Sequence, residues 1–213
     1  MTQGPLHGRH ALVTGGSRGI GVAIAKRLVA EGALVTILGR NATRAEQVAR
    51  TIGAAGFVSA DVTDRDGLSE AIRAAEERHG GVSILINNAG AAESAPFLKT
   101  PPEQFQRMLS VNLDSVVTAC HAVLPGMIAA GTGRIINIAS TAGLKGYRYV
   151  SAYVAAKHAV VGLTKALALE TAETGVTVNA VCPGFADTDL VRESVARIRE
   201  KTGREEADIV ADM

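Results

Sequence analysis

A glycine-rich turn set between a short apolar run and an amphipathic segment constrains this chain more than any other stretch. Ala11-Leu-Val-Thr14 has the length and character of a strand. Thr14-Gly-Gly-Ser-Arg-Gly-Ile-Gly21 follows, and a helical pattern then runs to about Ala30. Glycines let the backbone approach a bound anion, and a helix start offers unpaired N–H groups at the positive end of its dipole. Gly15, Ser17, Arg18, Gly19, Ile20 and Gly21 are therefore candidates for a phosphate cradle, against the plainer reading of a tight turn.

The alternation continues along the chain. Strand-like runs fall at residues 33–38, 57–60, 82–86, 133–140 and 176–182. Helical patterns lie between them at 42–52, at 64–79 with Leu68, Ile72 and Ala75 inward, at 100–130 and at 151–170. Thr100-Pro101-Pro102-Glu103 predicts a hydroxyl cap, a proline at the first helical position and an acid in the first turn. Pro125 predicts a kink further along the same helix. Strand and helix in strict alternation argue for one doubly wound parallel sheet flanked by helices, a Rossmann-type α/β fold. The expected organisation is a single domain over 9–213, preceded by a loose polar arm over 1–8.

Composition narrows the function. The 213 residues are 47% hydrophobic but only 3% aromatic, without Trp, which suits an aliphatic core of helices on a sheet. A net charge of +1 offers no footprint for nucleic acid. No membrane-spanning run or leader pattern is read, so a cytoplasmic protein without membrane attachment is expected. Cys120 and Cys182 read as buried free thiols. The five His have no ligand spacing, and no metal is assigned.

Chemistry concentrates late in the chain. Tyr153 and Lys157, four apart in a helix, share one face. A phenol has an ordinary pKa of about 10, and a cation beside it favours the phenolate. Ser140, at the end of its strand, is placed to bind the oxygen that the tyrosine protonates. Asn112 lies inside a long helix, where a buried amide needs partners, so it holds a water or disturbs the helix. Past the second strand stand Gly39 and Arg40, with no acid to meet a ribose. Arg40 with Arg18 suits a phosphate dianion, which favours NADP(H), with NAD(H) as the alternative. Asp61 contacts an adenine amino group or caps a helix, and the 87–90 turn lies where open α/β sheets bind ligands. Asp187-Thr-Asp-Leu190 opens a charged helical stretch.

Together these residues resemble the short-chain dehydrogenase/reductase family, in its shorter single-domain branch, with most similarity to 3-oxoacyl thioester reductases and 3-hydroxyacid dehydrogenases. The motifs are Thr14 to Gly21, Asn87-Asn-Ala-Gly90, Ser140, Tyr153 to Lys157, and Pro183-Gly184 with Thr188. The resemblance implies that Tyr153 is the general acid or base, that Lys157 lowers its pKa and binds the nicotinamide ribose, and that Ser140 polarises the carbonyl. It implies that Asn112 holds a water linking Lys157 to solvent. Thr188 with Pro183 and Gly184 would hold the carboxamide, Asn88 with Ala89 and Gly90 the ribose, and Asp61 with Val62 the adenine. The substrate is a small carbonyl compound or alcohol, reduced with NADPH or, alternatively, oxidised with NAD. Family habit suggests a homo-oligomer, tetramer or dimer, packed through the Asn112 and Tyr153 helices. Ala129-Ala-Gly131 and Glu173-Thr174 stand where carrier-protein reductases place basic residues, which weakens a carrier-protein partner. Family members also run further, through a last helix and final strand that are expected to be missing here, leaving a sheet edge exposed. The rival classes are a cofactor-binding protein without catalysis and another Rossmann-type enzyme such as a methyltransferase, in which the Tyr-Lys pair has no role.

Overall fold

Strand β1 (His10–Thr14) is buried along its whole length, as a strand covered on both faces must be. Five more strands flank it: β2 (Leu34–Gly39), β3 (Gly56–Ser59), β4 (Ile84–Asn87), β5 (Gly133–Ile138) and β6 (Val176–Val181). The computed structural model describes residues 4–184 together with Arg199, Gly203 and Glu205. Within it the strand order is β3-β2-β1-β4-β5-β6, and every neighbouring pair is parallel. The sequence order reverses between β1 and β4, and a crevice opens at such a switch point, beyond the strands' carboxyl ends.

Among the described residues six α-helices cover the sheet: α1 (Gly19–Ala30), α2 (Ala42–Ile52), α3 (Arg65–His79), α4 (Pro102–Leu109), α5 (Ser115–Ala129) and α6 (Ser151–Glu170). Successive strand residues point to opposite faces. Leu12, Leu85 and Ile135 accordingly pack in one cluster with Leu68, Ile72, Val116, Val123, Met127 and Val160. Ala11, Val13, Val35, Ile37 and Ile86 pack in the other with Ala25, Ala45 and Ala49. Each fully buried Leu or Ile contributes about 1.5–3 kcal/mol relative to exposure.

Several expectations change. Thr100 does not cap α4: Pro101 takes the cap position without a side-chain bond, and Thr100 Oγ1 donates to the Pro96 carbonyl at 3.0 Å. The 3-10 turn Phe97–Lys99 claims that hydroxyl first. As expected, the long helix is disturbed at Asn112, inside a π-helical turn at Ser110–Asp114; Pro125 lies within α5. The helical run Pro102–Ala129 contains an 18-residue window of mean hydropathy 1.3 and so does meet the length and apolarity of a membrane span. Its residues Val116, Ala119, Val123 and Met127 nevertheless belong to the core, as in an internal helix of a globular domain. Residues 4–8 are not loose: Leu6 N–H donates to the Glu31 carbonyl at 3.0 Å, and its side chain packs on the core. β6 ends the sheet on one side among the described residues. The helical stretch expected from Asp187, and Thr188 with it, lies outside the described residues.

Candidate active site at the β1–β4 switch point

The turn after β1 and the segment after β4 are bound into one floor. Thr14 Oγ1 accepts from the Asn88 and Ala89 N–H groups at 3.0 and 3.1 Å. Asn88 Nδ2 donates back to the Thr14 and Gly15 carbonyls at 3.0 and 3.2 Å. Gly15 has φ 64°, and a β-carbon there would stand 2.9 Å from Asn88 Nδ2, so the turn admits only glycine. The Asn88 side chain therefore braces the turn. Thr14 was not singled out as a site residue, although a hydroxyl closing a strand just before a glycine turn is a readable signal. The turn leads into α1, whose N-cap residue, Arg18, offers no side-chain cap and whose first turn holds no acid. Gly19, Ile20 and Gly21 thus begin a helix whose own first turn carries no carboxylate to oppose an anion.

The predicted pair of guanidiniums is arranged differently. Ser17 and Arg18 line a groove of about 370 Å3 together with Arg44 and Gln47 of α2. Arg40 is exposed and does not line that groove; its charge acts on Asp61 instead. Asp61 Oδ1 accepts from Thr63 N–H and Thr63 Oγ1 at 2.9 and 2.8 Å, and these bonds, chiefly the backbone one, hold the carboxyl below its usual range. The cap of α3 is Asp64, accepting from Gly67 N–H at 3.1 Å, so Asp61 does not cap that helix. The Val62 side chain is in the core.

The structure gathers Ser140, Tyr153, Lys157 and Asn112. Ser140 lies two residues beyond β5, extended, and its Oγ accepts from Ala142 N–H at 3.1 Å. This starts a 3-10 turn at Thr141–Gly143, and Thr141 N–H donates to the Pro183 carbonyl at 2.9 Å. Burial pushes the Tyr153 phenol above its usual range, and a hydrogen bond with Ser140 partly offsets the rise. Lys157, only 5% exposed, donates to the Ile138 carbonyl at 2.9 Å, with its Nζ 5.7 Å from the centre of the Tyr153 ring. Burial brings its pKa down to about 8. In this arrangement desolvation dominates the Tyr153 shift, and Lys157 Nζ is turned onto a backbone carbonyl.

Asn112 is fully buried. Its Nδ2 donates to the Ala91 and Met108 carbonyls at 2.9 and 3.0 Å, and capture of the Met108 carbonyl, four residues back, accounts for the local loss of α-helical pairing. Its Oδ1 has no partner. A β-carbon on Gly90 would stand 2.7 Å from this oxygen and 3.6 Å from Lys157 Nζ, so glycine keeps open the space that the two polar atoms share. An orphaned acceptor facing an ammonium across such a gap is a place for a bridging water. Ser151 Oγ is a second buried group without a partner, at the start of α6, and no spacing rule marked it in advance. Among the described residues, no group of three His, Cys, Asp or Glu converges on a metal-sized site.

Residues 9–199 match the family model for short chain dehydrogenases. The chain is 44% identical over 202 residues to a D-beta-hydroxybutyrate dehydrogenase of Cupriavidus necator, covering 93% of this chain and 78% of that one. It is 39% identical over 188 residues to a 3-oxoacyl-acyl-carrier-protein reductase of Vibrio cholerae, covering 88% and 77%. A crystal structure of an actinorhodin polyketide ketoreductase variant with NADPH superimposes with a TM-score of 0.88 at 36% identity, over 94% of this chain and 79% of that one.

Proposed function

As the chain belongs to the short-chain dehydrogenase family, an oxidoreductase family interconverting ketones and secondary alcohols, we propose that it is an NADPH-dependent reductase of 3-oxoacyl thioesters or small ketones. The observation that carries the reading is Tyr153, half-buried beside Ser140, with Lys157 Nζ 5.7 Å from the centre of its ring. The bare glycine turn and the acid-free start of α1 fit a dinucleotide pyrophosphate. Arg18 with Arg44 fits a 2′-phosphate, and Arg40 adds charge nearby. Nicotinamide supplies the hydride when bound.

The chain's own residues do the rest. Ser140 Oγ hydrogen-bonds the substrate oxygen and orients the carbonyl. Tyr153, kept protonated by burial, gives its proton to that oxygen in reduction and takes it back in oxidation. Lys157 stabilises charge developing on the phenol and holds the ribose. Asn112 Oδ1 holds the water through which Lys157 is reprotonated. Ala89 and Gly90 would hold the nicotinamide ribose, Asp61 and Val62 the adenine, and Pro183, Gly184 and Thr188 the carboxamide. The protein works in the cytoplasm as a homo-oligomer, packing through the exposed small residues Ala155, Gly162 and Ala166 of α6.

A second reading is an NAD-linked 3-hydroxyacid dehydrogenase. Asp61 favours it, since its carboxylate offsets part of the Arg40 charge. Fluorescence titration with NADPH and NADH separates the two. The first reading predicts at least tenfold tighter NADPH binding, lost in Arg18→Ala and Arg44→Ala while NADH binding stays unchanged. A preference for NADH would select the second.

A further inference from the structure

Tyr149 is the one residue other than glycine with positive φ among the described residues, at 66°. A bulky side chain adopts that conformation at a cost, and it persists only where its surroundings impose it. What imposes it is visible: the Tyr149 carbonyl accepts from Ala95 N–H at 2.7 Å. That bond ties the loop after β5 to the segment after β4, so the two walls of the crevice meet at Tyr149. Each wall is fixed separately as well. Arg107 makes a two-pronged ion pair with Glu93 at 3.1 and 2.9 Å. The Tyr147 hydroxyl bonds Thr141 Oγ1 at 2.9 Å, next to Ser140.

The strained residue presents an apolar surface. Eight large apolar side chains stand exposed among the described residues, and four of them, Phe97, Leu98, Leu144 and Tyr149, lie on these two walls. Phe97 is braced edge-on by Phe105 of α4 at 6.3 Å. Tyr149, 62% exposed, stands four residues before Tyr153, on the loop that connects Ser140 to it. The carboxylate of Glu93 is held in its ion pair with Arg107, and the Tyr149 loop leads straight into α6, which carries Tyr153.

We infer that Tyr149, with Phe97 beyond it, seats the apolar, non-reacting chain of the ketone, and that Tyr149 is a specificity-determining residue. The inference rests on the ketone and alcohol reading of Ser140 and Tyr153, and it favours extended acyl or cyclic substrates over the smallest ketones. It predicts that the protein prefers the N-acetylcysteamine thioester of 3-oxodecanoate to that of 3-oxobutanoate in kcat/KM. Tyr149→Gly keeps the left-handed backbone and removes only the ring, and Tyr149→Phe keeps the ring.

The test is the ratio of kcat/KM for the two thioesters in the wild type and both variants, with molecular mass in solution measured alongside. The ratio is expected to fall about tenfold in Tyr149→Gly, mostly through KM for the longer thioester, and to stay within about twofold in Tyr149→Phe. Equal losses on both thioesters, an unchanged ratio, or a change in molecular mass in Tyr149→Gly would overturn the assignment, the last by showing that a second copy covers the ring. A wild type that reduces the shorter thioester better overturns this inference alone. A wild type that binds NADPH but reduces neither overturns the proposed function with it.

Discussion

Lys157 is a charge held where charge is costly. It is buried, with the Ile138 carbonyl as its acceptor at 2.9 Å, and its pKa falls from 10.5 to about 8. The unfolded chain therefore holds this proton more tightly between about 8 and 10.5. Burial of the ammonium costs stability below pH 8, and the cost lifts as pH rises across that window. Lys157→Met should be more stable than the wild type at pH 7 by urea denaturation, with the gap closing toward pH 10. An equal gap at both pH values would show that the lysine is not strained by burial. The same titration should give the enzyme a falling limb in kcat/KM near pH 8, where the charge beside Tyr153 is lost. The spacing of Tyr153 and Lys157 was legible because a helix fixes the geometry of residues four apart. The Ile138 carbonyl was not, because no residue type announces which backbone acceptor a buried lysine will find. Arg44 was missed for a related reason: the groove that brings it to Arg18 forms only when α1 packs against α2.

At the scale of elements, a buried polar chain joins two strands to the helix that bears Tyr153. Asn87 Nδ2 donates to Asn137 Oδ1 at 2.9 Å, Asn137 Nδ2 to Thr164 Oγ1 at 2.9 Å, and Thr164 Oγ1 to the Val160 carbonyl at 2.7 Å. Asn137 is fully buried, so Asn137→Ala strands partners on both sides and should lower unfolding free energy by about 2–4 kcal/mol. A loss below 0.5 kcal/mol would mean that water replaces the amide without cost.

At the opposite end of the sheet His10, on β1, is 2% exposed. Its Nδ1–H donates to the Gly80 carbonyl at 2.6 Å and its Nε2 accepts from Thr36 Oγ1 at 3.0 Å. Burial depresses its pKa below 6.5, and His79 pushes the same way, against the Gly80 bond and Glu76. The unfolded histidine takes a proton below pH 6.5 more readily than the folded one. The stability it contributes is thus present above pH 6.5 and lost as pH falls below it. The urea midpoint should drop more between pH 7.5 and 5.5 in the wild type than in His10→Val, and equal drops would contradict the account. The helices over 42–52 and 151–170 were legible to the residue: Asn41 caps the first, and the second, which has no side-chain cap, is one unbroken run of apolar and small residues. The Thr100 cap was misplaced because two prolines and a 3-10 turn compete within a few residues, and sequence pattern does not rank them.

For the whole molecule, strict alternation of strand and helix was enough to predict a parallel doubly wound sheet, since few other arrangements bury such runs on both faces. The strand order came only from the structure, and with it the reason that residues as far apart as Gly15, Asn112, Ser140 and Tyr153 serve one crevice. The most direct measurement of the central claim is single-turnover oxidation of NADPH by wild type and Tyr153→Phe, using the 3-oxobutanoyl thioester and enzyme saturated with cofactor. The account predicts that the Phe variant binds NADPH within about twofold of wild type while hydride transfer slows at least a hundredfold, the range expected for losing a general acid. Transfer within tenfold of wild type, with NADPH still bound, would contradict it.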